Sequence, residues 1–121
     1  MSGFSITDSE EKVVIEWRDG DDVTQFEIYK KGESIFKPER TAILFNPSRG
    51  LSARTQLTER EFNDFLHMVK IARITNSEED IMTILMAAVE LFRCRVRGKK
   101  DCWEDVVKPY LAAMLAKCVK E

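Results

Sequence analysis

The sequence has few of the residues on which catalysis and metal binding most often depend. It contains one histidine, His67, and three cysteines without a Cys-x-x-Cys pair. It also lacks a Gly-rich phosphate-binding loop and a Gly-x-Ser-x-Gly elbow, because its five glycines are scattered along the chain as turn residues. These absences argue against a metal site, a cofactor and an activated nucleophile. We therefore expect a protein that is not an enzyme.

Long hydrophobic runs are missing as well. No stretch approaches about 18 consecutive apolar residues, so the sequence predicts no membrane-spanning segment and no membrane partner. Residues 1–8 lack the basic flank and the apolar stretch of a signal peptide. The odd number of cysteines is unlike a secreted disulfide framework. We therefore expect a cytoplasmic protein with reduced cysteines, in which Cys94 and Cys118 are small buried residues.

The balance of charge changes along the chain. The formal net charge is −2, but residues 1–36 carry nine acidic and four basic side chains, whereas residues 37–73 carry four acidic and seven basic ones. A sequence pI near 5.6 argues against a protein covered in positive charge, as many duplex-DNA binders are. It permits a local basic groove, because the field at a surface depends on the distribution of charge. The length of 121 residues predicts one domain over residues 1–121.

Alternation of apolar and polar residues predicts strands within residues 1–46. The segments with this pattern are residues 4–7, 12–18, 23–31, 34–37 and 41–46. The Asp-Gly step at Asp19 and Gly20 predicts a tight hairpin turn between the second and third segments. In the third segment, Phe26 and Ile28 lie on one side and Tyr29 lies on the other. Short connections between consecutive strands predict an antiparallel β-meander of four to five strands.

After residue 57 the apolar residues recur at the period of a helix. Residues 47–57, which precede the change, have the composition of a basic loop. Three capping patterns then predict helix starts, namely Thr58 with Glu61, Ser77 with Asp80, and Asp101 with Glu104. The second helix ends at Gly98, and Pro109 predicts a kink near Val106. The sequence thus predicts an α+β fold, in which the meander is followed by three helices within residues 58–120 that pack on one face.

Basic and aromatic side chains alternate in the middle of the chain. Cations along a groove neutralise backbone phosphates, and aromatic rings stack on bases with about 1–3 kcal/mol per base. The candidate nucleic-acid-binding residues of this region are Trp17, Tyr29, Phe36, Lys37, Arg40, Phe45, Arg49 and Arg54. The alternative is that about half of the rings form the core of the sheet. Because Tyr29 lies opposite Phe26, it is the ring best suited to exposure.

A second basic segment follows the second helix. Residues 93–100 carry five positive charges. Cations near a helix C-terminus complement the helix dipole, but one or two would be enough for that purpose. We therefore add Arg93, Arg95 and Arg97 to the candidate residues. A phosphate-contacting patch and a site for an acidic protein partner remain open as alternatives.

The order of these segments resembles that of a known family. An antiparallel sheet of about four strands, a basic loop and then packed helices, together with the mid-chain residues from Trp17 to Arg54 named above, resembles the ThermoDBP-type single-stranded DNA-binding proteins of archaea. Residues 12–73 are also similar to the single-strand-binding domain of the positive-coactivator/Whirly group, whose last strand and helix look like residues 41–46 and 57–71. The three-helix segment from Thr58 to Lys120 suits the ThermoDBP type better, because the coactivator pattern ends after one helix.

The resemblance implies a protein without enzymatic activity that holds single-stranded DNA or RNA in a groove between sheet and helices. It implies binding without sequence preference, and oligomers of such proteins are common. The alternative function is a protein-interaction or homo-oligomerisation module. That hypothesis depends on the apolar stripe of the helix at residues 101–120, which includes Trp103, Tyr110, Leu111 and Met114.

Overall fold

The computed structural model describes residues 2–32 and 34–119. Five strands are followed by three helices. The strands are β1 (Ser2–Asp8), β2 (Lys12–Asp19), β3 (Asp22–Tyr29), β4 (Arg40–Asn46) and β5 (Leu51–Leu57), and the helices are α1 (Glu59–Thr75), α2 (Glu78–Val96) and α3 (Lys108–Val119). The predicted α+β class, a meander followed by helices, is therefore confirmed. Among the described residues, no helix combines the length and the apolar character that a membrane crossing requires.

The chain divides into two compact units, residues 1–62 and residues 63–121. The first unit contains the sheet, in which each strand lies antiparallel beside the next in the order β1-β2-β3-β4-β5. The predicted hairpin between β2 and β3 is confirmed, since Asp19 pairs with Asp22 across the turn. Gly20 takes a φ of 61° there, which favours glycine. That a single domain spans residues 1–121 stays a prediction.

The two faces of the sheet differ in burial, as the alternation predicted. One face carries the buried apolar residues of the sheet, which are Val13, Ile15, Phe26, Ile28, Ala42, Leu44 and Leu57. We call the opposite face the exposed face, because its side chains are half-buried or exposed. From β2 to β5 the exposed face carries Lys12, Val14, Glu16, Arg18, Val23, Gln25, Glu27, Tyr29, Thr41, Ile43, Phe45, Ser52, Arg54 and Gln56. Burial of the first set stabilises the sheet by about 1.5–3 kcal/mol per large side chain.

The prediction of a loop over residues 47–57 is wrong for most of its length. Only Pro47–Arg49 form a short 3-10 turn, and Gly50 reverses the chain with a φ of 65°. Residues Leu51–Leu57 then form β5, which pairs with β4 from Asn46↔Leu51 to Arg40↔Leu57. The alternation was present in the sequence, but on the inward side only Leu51 and Leu57, at the two ends of the strand, are large and apolar, and Ala53 and Thr55 between them are small or polar. A sheet-edge strand needs less apolar surface than an inner one, so its pattern resembles a loop.

The predicted strand at residues 34–37 is also wrong. Ser34 and Lys37 form one isolated bridge inside the connection between β3 and β4. Pro38 follows immediately, and proline cannot donate to a strand ladder. In contrast, the predicted strand at residues 4–7 is confirmed and extends to Ser2–Asp8.

All three predicted helix caps are confirmed. At α1, the Thr58 amide donates to the Glu61 carboxylate (2.9 Å) and the Glu61 amide donates to the Thr58 hydroxyl (3.1 Å). At α2, the Asp80 amide donates to the Ser77 hydroxyl (3.3 Å). The Glu104 amide donates to the Asp101 carboxylate (3.0 Å) at the third start. Each cap satisfies an amide that has no partner within its helix.

The end of α2 corrects the prediction for the cysteines. Gly98 has a φ of 68°, and the Lys99 amide donates to the carbonyl of Cys94 (3.3 Å), which is the Schellman pattern. This turn reverses the chain, and Cys94 forms a disulfide with Cys102, with a Cα–Cα distance of 5.8 Å. The expectation of reduced cysteines is therefore wrong for this pair. Cys118 is free and exposed, so its predicted burial is also wrong.

The third helix begins with an irregular turn. Residues Trp103–Val107 form a π-helical turn, in which the Lys108 amide donates to the carbonyl of Trp103. Pro109 is the second residue of α3 and has no amide hydrogen, so it cannot donate to the helical turn that precedes it. The irregularity therefore lies where the sequence predicted a kink, around Val106, although its form is an extra residue in the turn.

Candidate nucleic-acid interface

Three of the predicted residues share the exposed face of the sheet. Arg54 pairs with Ile43 of β4, which pairs with Glu27 of β3. Along β3, Tyr29 lies two residues after Glu27. Gln25, which pairs with Phe45 of β4, lies two residues before Glu27. At about 3.3 Å per residue, the two rings are about 13 Å apart along the strands. The register therefore places one cation in the row between two aromatic residues.

The acidic groups of the exposed face are paired with cations on the same face. Glu27 accepts from the Lys12 amine at 3.3 Å. Glu16 lies 3.5 Å from the Arg18 guanidinium and accepts from the Gln25 amide at 2.8 Å. Arg54, the third cation of this face, is exposed and has no ion pair among the residues that the structure describes. Its charge therefore stands beside Ile43 and close to Phe45 without a neutralising partner.

Phe45 and Tyr29 differ in how much ring they present. The side chain of Phe45 is 39% exposed. Tyr29 is half-buried, and the Lys12 amine lies 5.6 Å from its ring centroid. The hydrogen bond to Glu27, with the negative charge of that group, raises the pKa of Lys12 and keeps the amine charged above the ring. Phe45 is thus the more open stacking surface, and Tyr29 already carries a cation on its ring.

Trp17 does not join this surface. It continues the side of β2 that holds Val13 and Ile15, and it pairs across the strands with Phe4 and Thr24. Its ring is half-buried. Strand alternation sends its side chain to the face opposite Tyr29 and Phe45, so the structure does not bring Trp17 together with those two predicted rings.

Arg40 is occupied in holding the connection between β3 and β4. Its guanidinium donates to the carbonyl of Lys30 (2.7 Å) and to the carbonyl of Pro38, and it lies 4.9 Å from the ring centroid of Phe62. The same connection is tightly packed at Gly32, because a Cβ there would lie only 2.6 Å from the carbonyl oxygen of Lys37. Arg40 therefore has a structural role in this connection, and its phosphate contact stays a prediction.

The tip of the same connection presents Phe36. Phe36 is 87% exposed and its neighbour Ile35 is 89% exposed. The Phe36 amide donates to the Ser34 hydroxyl (3.2 Å), and Lys37 is exposed beside it. Two large apolar side chains are thus exposed on a connection that the hydrogen bonds of Arg40 stabilise. Phe36 was a predicted binding residue and Ile35 was not, because an isoleucine within a predicted strand is typical of a buried position.

Arg49 belongs to a polar network around Asp22. Its guanidinium approaches both carboxylate oxygens of Asp22, the shortest contact being 2.8 Å. The side chains of Asn46 (2.7 Å) and Ser48 (3.2 Å) donate to the same carboxylate. The hydrogen bond from Arg49, followed by that from Asn46, lowers the pKa of Asp22 to about 2. From the sequence, Arg49 was predicted to contact phosphate, and no local pattern indicated this network.

The cations of the basic segment, residues 93–100, differ in whether they have an acidic partner. Arg93 pairs with Glu90 at 2.9 Å, one turn earlier on α2. Arg97 is exposed, as are Lys99 and Lys100. These last three have no ion pair among residues 2–32 and 34–119. Of the predicted Arg93, Arg95 and Arg97, the last is therefore the best placed to contact an anion.

The anchors of the alternative function are largely used inside the second unit. The Trp103 indole donates to Asp64 at 2.6 Å, and Lys108 lies 5.3 Å from its ring centroid. Met114 is buried, whereas Leu115 is 39% exposed. Oligomerisation through this helix stays a prediction, with less exposed apolar surface than its sequence pattern indicated.

His67, the one histidine of the sequence, is exposed on α1. In the part of the chain that the structure describes, no group of three or more His, Cys, Asp or Glu side chains is placed to hold a metal ion.

Comparisons with protein families, curated proteins and solved structures found no match. No family is therefore assigned. The resemblance to the ThermoDBP type depends on segment order and on the residues named above, and it stays a prediction.

Proposed function

We propose that this protein binds single-stranded nucleic acid, principally DNA, on the exposed face of its sheet and without sequence preference. The observation that carries the proposal is the register that places Arg54 between the rows of Tyr29 and Phe45. A cation between two rings matches a chain of alternating phosphates and bases. The exposed aromatic tip at Phe36 and Lys37 follows Tyr29 along the chain and adds a further ring and cation.

The electrostatics of the face support the same reading. Glu16 and Glu27 are neutralised by their partners on the sheet, so an approaching phosphate meets one surplus positive charge at Arg54. Phosphate contacts supply affinity without sequence information, and stacking on a phenyl ring tolerates every base. Binding of this kind needs neither a cofactor nor a catalytic group.

The test is fluorescence anisotropy with labelled oligo-dT, repeated with oligo-rU of equal length. We expect binding at about 50 mM salt that weakens as salt rises to about 200 mM, because counterions are released from the strand. Arg54→Gln should weaken binding about five- to tenfold at 50 mM salt, and Phe45→Ala at least about fivefold.

The matched control is Arg73→Gln, which removes an exposed arginine from α1 and should leave the affinity unchanged. Circular dichroism should show all variants folded, since Arg54 is exposed and Phe45 lies outside the buried face. Affinity that does not respond to salt, or an equal loss in Arg54→Gln and Arg73→Gln, would overturn the proposal.

A further inference from the structure

The disulfide closes a loop that is rich in positive charge. Cys94 is the last buried residue of α2, and Cys102 immediately precedes the π-helical turn that leads to α3. Between them lie residues 95–101, with four cations and the single acid Asp101. Both cysteines are almost completely buried, at 5% and 2% exposure, while residues 96–101 are exposed. The bond thus anchors an exposed loop to the interior of the second unit.

Helix-end electrostatics do not account for these cations. The carbonyls of Arg93, Cys94 and Arg95 accept from the amides of residues 97, 99 and 98. The end of α2 is therefore satisfied by its own backbone. Arg93, which is still in the last turn, is neutralised by Glu90. One or two cations beside the end of α2 are enough to complement its dipole, so the further positive charges of the loop exceed what the helix end requires.

Three cations within four residues repel one another, and a flexible loop would spread them apart. The Schellman turn and the disulfide oppose this repulsion, because they hold the two ends of the loop at a Cα–Cα distance of 5.8 Å. Asp101, whose carboxylate accepts from the Glu104 amide at the helix start, offsets only one of the four positive charges, so the loop keeps a net charge of +3. The loop is thus organised to present positive charge before any ligand arrives, which lowers the entropic cost of binding.

We propose that the disulfide-closed loop, residues 95–101, is a phosphate-binding site for single-stranded nucleic acid, with Arg97, Lys99 and Lys100 as the contacting groups. The identity of the ligand rests on the proposed function, whereas the geometry does not depend on the sheet. Val96 supports a nucleic acid over a free phosphate, because its side chain is 87% exposed among these cations and offers an apolar contact to a sugar or base.

The first experiment measures oligo-dT anisotropy for the triple variant R97Q/K99Q/K100Q. At about 50 mM salt we expect binding at least about tenfold weaker than wild type, and a slope of log K against log salt that is smaller by about two. The matched control is Arg93→Gln at the same helix end, which should change the affinity less than about twofold because Glu90 already neutralises that charge.

The second experiment replaces the disulfide. C94A/C102A keeps two small apolar side chains in the buried positions and leaves every charge in place. We expect its affinity for oligo-dT to fall about threefold or more, because the cations must then be ordered on binding. Circular dichroism shows whether the double alanine variant has folded. If it has not, the triple glutamine variant, whose changes are all exposed, tests the loop site instead.

The outcomes separate the two proposals. Wild-type affinity in the triple variant, with weaker binding in Arg54→Gln, would overturn the loop site and leave the proposed function standing. Absence of oligo-dT binding by the wild type would overturn both. If the loop charges instead govern co-sedimentation with phosphatidylserine vesicles and leave oligo-dT binding unchanged, the ligand is a lipid surface and this proposal is wrong.

Discussion

Asp22 is the residue on which the polar contacts of the sheet converge. Its carboxylate accepts from Arg49, Asn46 and Ser48, which come from the end of β4 and the turn that follows it. Asn46 is buried and also donates to Thr24 at 2.8 Å. These bonds tie the β2–β3 hairpin to the turn before β5, so one carboxylate orders two connections.

At this scale we predict a dependence of stability on acid. The pKa of Asp22 is lowered from 3.8 to about 2 in the folded chain, so the unfolded chain binds the proton more readily. The contribution of Asp22 is complete above about pH 4 and is lost as the pH falls towards 2. Urea unfolding should show a loss of stability in this window that Asp22→Asn does not share.

The control for this prediction is Asp21→Asn, one residue earlier in the turn and exposed. It should keep the wild-type decline between about pH 4 and pH 2. An identical decline in Asp22→Asn would mean that other carboxylates govern the acid response.

At the scale of elements, the helix starts depend on local pairs of side chains. Thr58 and Glu61 satisfy each other's amides, and Glu61 is almost completely buried at 1% exposure. A buried carboxylate that keeps its hydrogen bonds is stable, whereas one that loses a neighbour is costly. The cap thus determines where α1 begins after β5.

We expect Thr58→Ala to lower the free energy of unfolding by about 1 kcal/mol, because the Glu61 amide loses its acceptor. Urea denaturation with an unchanged m-value would measure this. Thr58→Ser keeps the hydroxyl and should retain most of the stability. Equal losses in the two variants would show that the methyl group, and not the cap, carries the effect.

At the scale of the whole molecule, net charge and local charge act in opposite directions. The chain has a formal net charge of −2, yet the exposed cations that have no ion pair among the described residues include Arg54 and residues 97, 99 and 100. A nucleic acid therefore experiences weak repulsion at a distance and attraction at short range. Binding must come from a small number of contacts.

This balance predicts a shallow salt dependence for the wild type. At about 0.7 per phosphate contact on a single strand, four cations give a slope of log K against log salt no steeper than about −3. Anisotropy titrations of oligo-dT between about 50 and 200 mM salt would measure it. A slope near −6 would require phosphate contacts from further cations, and would contradict the assignment of binding to these four.

The fold was predictable wherever neighbouring residues decide the structure. The alternation that buries Phe26 and exposes Tyr29 is local, and so are the caps at Thr58, Ser77 and Asp101. The sequence predicted β5 as a loop because Ser52, Arg54 and Gln56 conceal a period-two pattern whose inward side chains are small or polar except at its ends. What makes that segment a strand is the open edge of β4, which lies outside its own sequence.

The site was less predictable, because a charged or aromatic residue does not reveal its partner. Arg54 and Phe45 reach the exposed face, but Arg49 meets an acid 27 positions earlier in the chain. Trp17 faces the other side of the sheet. These outcomes depend on contacts between residues distant in sequence, which no local pattern encodes.

The sequence by itself determined the α+β order, the hairpin turn and the three helix starts, because each depends on steric preferences and hydrogen bonds within a few residues. Only the tertiary structure decided which cations are paired, which rings are exposed and that Cys94 meets Cys102. Ion pairs, ring exposure and a disulfide depend on contacts between residues that are not adjacent in sequence, and the packing of the whole unit determines those contacts.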